Sequence, residues 1–139
     1  MVIGMSKEEN VRVQSLGGPI AEARDWDRLG EVFAADFVDH DPAEGQAPGL
    51  AGIQWYWRNL AEAFPDFALT PEVLSADDEY ITIVATLTGT HSGEFMGHAP
   101  TGKKFSVRSI QTSKFADGRV VERWGSSDEY GLMRQLGLL

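Results

Sequence analysis

His40 stands between two acids, Asp39 and Asp41, and directly before Pro42. Imidazole changes charge near neutral pH, so His40 among carboxylates has the residue types for proton transfer. His91, inside Gly89-Thr90-His91, is the second titratable candidate. The plainer reading of each is a histidine that fixes a loop by hydrogen bonding to backbone. His91, Glu94 and His98 offer the donor types of a zinc or iron site. They straddle Gly93 and Gly97 instead of sharing one helix face, so no metal is expected there. The run GHAPTGKK, Gly97 to Lys104, has most of a phosphate-binding loop. It lacks Ser or Thr after the lysine pair, and Phe105 to Ile110 then alternates like a strand. Without a following helix N-terminus there is no cradle for phosphate, so the run reads as a loop between strands.

The elements that would position these groups follow from periodicity. Ser6 to Glu9 has capping-box spacing and should start a helix that Gly17-Gly18-Pro19 bends or breaks. Asp25 is placed to cap a short helix carrying Trp26, Leu29 and Phe33 on one face. A short extended piece, Phe37 to Asp41, ends at Pro42. Ile53, Trp57, Leu60 and Phe64 mark an amphipathic helix that Pro65 stops. The period then becomes two. Strands are predicted over Phe67–Leu74, Tyr80–His91, Phe105–Phe115 and from Val120 to about Gly125, the last two joined by Asp117-Gly118. A short C-terminal helix, Tyr130 to Leu136, ends at Gly137. Helices followed by an antiparallel run give an α+β class.

The bulk numbers bound the function. A chain of 139 residues suits one domain. A net charge of −9 repels phosphate backbones and anionic membrane surfaces, so neither nucleic acid nor a membrane is an expected partner. No apolar run approaches the length of a membrane span, and no signal peptide is read at the start. The absence of cysteine excludes disulfides and thiolate chemistry and fits a reducing, cytoplasmic setting. Residues 1–5 are expected to be frayed.

Several segments recur together in one order: Asp39-His40-Asp41-Pro42, Phe64-Pro65-Asp66-Phe67, Gly89-Thr90-His91, Pro100-Thr101-Gly102-Lys103, Asp117-Gly118, Trp124 with Asp128, and Gly131 to Gly137. This pattern resembles the SnoaL-like polyketide cyclase (ester cyclase-like) family. The resemblance implies the nuclear transport factor 2-like fold, a cone in which a curved antiparallel sheet wraps over N-terminal helices around a pocket. It also implies intramolecular aldol chemistry with no metal or cofactor, run by a pocket Asp directly after the Trp of the last strand. Here that position is Gly125, and Gln111 stands where the cyclases carry a pocket His. Gln can donate and accept hydrogen bonds but cannot shuttle a proton.

Strand parity then sorts the remaining residues. If Gln111 and Gly125 face the pocket, so do Ser109 and Arg123. Ile110, Thr112, Glu122 and Trp124 then face outward, and their apolar members point to a homodimer through that face. Arg123 inside needs a carboxylate or an anionic ligand, and Asp128 is the partner considered. Tyr56 or Trp55, next to Trp57 on their helix, is expected at the cavity mouth, and Phe95 in a flap over it. His40, Asp128 and His91 are the candidate catalytic residues. Two functions compete: an acid/base cyclase or isomerase acting on a small, largely apolar or aromatic carbonyl or polyketide-like molecule, and a non-catalytic binding protein for the same class. A third, an epoxide hydrolase or dehydratase, would need His40 and Asp128 to meet.

Overall fold

A computed structural model describes residues 6–139. The expectation for residues 1–5 lies outside the described residues. Ser6 caps helix α1 (Lys7–Ser15), its hydroxyl accepting from Glu9 N at 3.1 Å. Helix α2 (Gly17–Ala23) restarts at the glycine pair, as a break there requires. The next segment departs from expectation. Trp26–Glu31 is a 3-10 helix that Asp25 does not cap with its side chain, and Phe33 opens strand β1 (Phe33–Asp39) instead of ending a helix. Helix α3 (Gly49–Ala63) presents Ile53 and Leu60 to the core and stops before Pro65.

Four strands follow, β2 (Ala68–Ala76), β3 (Tyr80–Thr90), β4 (Lys104–Ala116) and β5 (Arg119–Ser127), then helix α4 (Glu129–Gln135). The sheet order is β1-β5-β4-β3-β2, open at both edges. β2 to β5 pair antiparallel, but β1 runs parallel to β5, so the sheet is mixed and not purely antiparallel. The β4–β5 turn is carried by Asp117 (φ 51°) and Gly118 (φ 77°), both left-handed, as a two-residue hairpin demands.

One irregularity matters for the site. Phe115 pairs with Val120 but Lys114 pairs with Glu122, so Val121 is an extra residue in β5. It resets the alternation. Val120 packs fully buried beside the inward Phe115, whereas strict parity put it outside; from Glu122 onward the expected faces hold. On β4 the odd residues Phe105, Val107, Ser109, Ser113 and Phe115 are buried and Ile110 is exposed. The core gathers Phe64 against Phe105 and Phe95, with ring centroids 4.7 and 4.9 Å apart. A second aromatic group stacks Trp26, Trp57 and Phe67 at 5.8–6.4 Å between the helices and β2. No helix among the described residues is long and apolar enough to cross a membrane.

Candidate functional site

The helices and the inner sheet face enclose a hollow of about 720 Å³. Its walls are mostly apolar: Val11 of α1, Leu29, Trp26, Trp57, Phe67 and Leu69, and Ile81 and Ile83 of β3. Four polar side chains, Ser109, Gln111 and Ser113 of β4 and Arg123 of β5, share one wall. An apolar enclosure with a few convergent polar groups is the usual form of a small-molecule site.

The centre of that wall is Arg123. Its side chain is 13% exposed and that of its partner, Asp39, 7%. Arg123 Nη1 donates to Asp39 Oδ1 at 2.9 Å, and Nε donates to Gln111 Oε1 at 3.1 Å. Asp39 is held in turn: Gln46 Nε2 donates to Oδ2 at 3.0 Å and Asp41 N to Oδ1 at 3.0 Å. Asp39 reaches the site because β1 lies beside β5, with Asp39 in register with Arg123 and His40 N donating to Arg123 O. A buried guanidinium requires such a carboxylate. The partner is thus Asp39 and not Asp128.

Gly125 explains where the guanidinium goes. Gly125 lies opposite Gln111, and a Cβ built on it would stand 2.5 Å from Arg123 Nη2 and 2.9 Å from Cζ. The space over residue 125, where the resemblance implies an acid, holds the end of Arg123. Asp41 completes the corner, its Oδ2 accepting from Gly125 N at 2.9 Å.

Donors remain free at this wall. Gln111 Oε1 is taken by Arg123, which leaves its amide nitrogen as the group able to donate elsewhere. Neither that nitrogen nor Arg123 Nη2 makes a hydrogen bond among the described residues, and neither is sealed off: the buried polar atoms left unpartnered are Asn10 Oδ1 and His91 Nε2. Ser109 Oγ accepts from Ser127 Oγ at 3.0 Å, so its own proton is available. Two planar nitrogens and a hydroxyl on the polar wall of an apolar hollow are of the type that can hold a carbonyl oxygen and stabilise charge that develops on it. Tyr56 of α3 is within electrostatic reach of Arg123 and Asp39. Burial pushes its phenol above the usual value and keeps it protonated.

The three titratable candidates lie elsewhere. His40 points to the outer face, stacked on Trp124 at 4.7 Å, with Nε2 and Glu122 Oε1 3.0 Å apart. Alternation along β1 sends Asp39 inward and its neighbour outward. Asp128 caps α4, accepting from Gly131 N at 2.8 Å, and is exposed. His91 is fully buried among Phe64 and Phe95. Its Nδ1 accepts from Thr101 N at 3.2 Å, and its backbone ties the base of the 91–103 loop through Lys103 O and Gly102 N. His40 and Asp128 therefore do not form a pair. Trp55 is 40% exposed on the far side of α3 near Gly45, and Phe95 packs into the core instead of forming a flap. Ser109, Gln111 and Arg123 are brought together, as parity on β4 and β5 expects. Asp39 was missed as a site residue. The signal for it was its place two residues after the apolar Phe37, on the same strand face.

Two outcomes follow from this geometry. Gly125→Ala should push the guanidinium off Asp39 and lower stability by about 1–3 kcal/mol, the cost of losing buried charge-assisted hydrogen bonds; urea unfolding measures it, and a neutral effect would contradict the packing. In a tyrosinate absorbance titration one of the three tyrosines should ionise above pH 10, and Tyr56→Phe should remove that late step. The sign is that of a raised pKa. The neutral phenol's contribution to stability is present below the unfolded value and is lost as pH rises through the folded one.

The model of the SnoaL-like polyketide cyclase family matches residues 13–136. The aklanonic acid methyl ester cyclase AcmA of Streptomyces galilaeus is 32% identical over 93 residues, covering 66% of this chain and 63% of that protein. This chain therefore matches somewhat less than two thirds of that relative's length. Among solved structures, IdmH of Streptomyces antibioticus, described as a candidate polyketide cyclase, is 31% identical with a TM-score of 0.79, over 92% of this chain and 98% of its own. TsrD of Streptomyces laurentii shares the fold with a TM-score of 0.87 at 23% identity, over 96% and 98% of the two chains. With the family model spanning most of its length, the chain belongs to the SnoaL-like polyketide cyclase family.

Proposed function

We propose that the protein binds a small, largely apolar or aromatic carbonyl compound of polyketide type in this hollow, its carbonyl oxygen held by Arg123 Nη2 and the Gln111 amide. The observation that carries this reading is a largely buried, acid-paired guanidinium on the polar wall of an apolar hollow, with Nη2 free of hydrogen bonds among the described residues. Cyclases among the relatives support the ligand class. The same donors would stabilise an enolate, so cofactor-independent cyclase or isomerase chemistry is the active form of this reading. Among the lining residues the carboxylate is Glu22, exposed near the rim, while Asp39 has both oxygens occupied. That balance favours binding and polarisation over proton shuttling, and non-catalytic binding is the second reading. The epoxide hydrolase or dehydratase alternative loses its support with the separation of His40 from Asp128.

A homodimer through the outer sheet face belongs to the same proposal. Ile110 is 42% exposed and Val73 is 56% exposed, in line across the sheet through Val84, with Thr112, Glu122 and Trp124 beside them. A reducing, cytoplasmic setting is consistent with the absence of cysteine.

Calorimetric titration with 2-acetonaphthone tests the ligand class. Arg123→Met should weaken binding by about tenfold or more and Gln111→Leu by less, as loss of a charged and a neutral donor would. Asp128→Ala, which loses a helix cap, should leave affinity unchanged. Equal binding by wild type and Arg123→Met would overturn the reading. For the dimer, sedimentation should show Ile110→Asp shifted to monomer; a wild-type monomer at tens of micromolar would refute it.

A further inference from the structure

Arg123 is a cation, yet its surroundings do not make the hollow a site for anions. Asp39 neutralises it at 2.9 Å. Asp41 sits at the next backbone position on Gly125 N, and Glu129 is close enough to act on Tyr56. The guanidinium is therefore paired, on a chain whose net charge is −9, and the other cation lining the hollow, Arg24, is taken by the Ala21 and Pro65 carbonyls and the Phe67 ring. Coulomb's law disfavours a second carboxylate there, because it would compete with Asp39 for the same cation. A neutral carbonyl oxygen meets no such repulsion and still accepts from Nη2 and from the Gln111 amide.

We infer that Asp39 is a specificity-determining residue, which sets the site to accept neutral carbonyl groups and reject carboxylates of the same shape. The inference rests on the binding reading above and goes beyond it by assigning the discrimination to one charge. Gly125 is its enabling partner, since a Cβ there would stand 2.5 Å from Arg123 Nη2 and the guanidinium between Asp39 and Gln111 would have to shift. With Asp39 made neutral, Arg123 loses its direct ion-pair partner, and a ligand carboxylate becomes a group that can take that place. Asp39 acts through Arg123 and touches no ligand, so its signature is a change in preference and not merely a loss of affinity.

The test uses two nearly isosteric probes, 2-acetonaphthone and 2-naphthoate, titrated calorimetrically into wild type, Asp39→Asn and Arg123→Met at neutral pH. Wild type should favour the ketone by about tenfold or more, an opposed charge at close range being worth at least that much. Asp39→Asn should reverse the order, and Arg123→Met should weaken the ketone without gaining the acid. Circular dichroism checks that each variant is folded. Should Asp39→Asn fail to fold, the wild-type ratio and the Arg123→Met result still decide. Ketone binding with no preference over the acid, or a preference that Asp39→Asn leaves intact, overturns this inference while leaving the binding reading in place. Binding of neither probe removes both.

Discussion

A guanidinium inside an apolar hollow must have an acid beside it, and the contact between Arg123 and Asp39 is the constraint on which the site depends. Three features of the chain have to agree for that contact to form. β1 must run parallel to β5 so that residues 39 and 123 come into register. The extra residue at Val121 must turn Arg123, and not its neighbour, toward the interior while keeping Val120 in the core. Position 125 must lack a side chain, because the guanidinium occupies that space. None of these is a property of Arg123 itself.

The result is a wall rich in donors and poor in bases. Arg123, Gln111 and the serines of β4 can hold and polarise an oxygen, whereas both oxygens of Asp39 are committed. Neither His40 nor His91 lines the hollow. His40 joins Trp124 and Glu122 on the outer face, and the hydrogen bond from His40 is the main reason the Glu122 carboxyl is held below its usual range. His91 locks the long connection between β3 and β4. The family scaffold is retained while the chemistry at one position has changed sign, from an expected acid to an occupied cation. A fold alone does not fix a function.

Much of this was legible in the order of residues, and the gaps have physical causes. The resemblance puts Gln111 on the inner face, and period-two alternation on β4 then places Ser109 with it and Ile110 outside, because a long strand with one buried face leaves no freedom of register. The same rule failed at Val120, since a bulge costs one residue of parity and carries no strong local signature. The helix expected from Trp26 became a 3-10 turn running into β1, a tertiary choice that spacing does not reveal. Asp39 carries no signal of its own beside its titratable neighbour His40. On a strand, neighbours point to opposite faces, so the two could not share the site, and the buried Phe37 marks which side is inside. Asp128 is a carboxylate near Arg123 in the chain, but its place directly before α4 makes it a helix cap.

A crystal structure of the protein with 2-acetonaphthone bound tests the central claim most directly. The ketone oxygen is expected within hydrogen-bonding distance of Arg123 Nη2 and the Gln111 amide nitrogen, with the Arg123–Asp39 pair intact. A ligand whose oxygen faces the opposite wall, or an Arg123 that has left Asp39 and swung out of the space above Gly125, would contradict it.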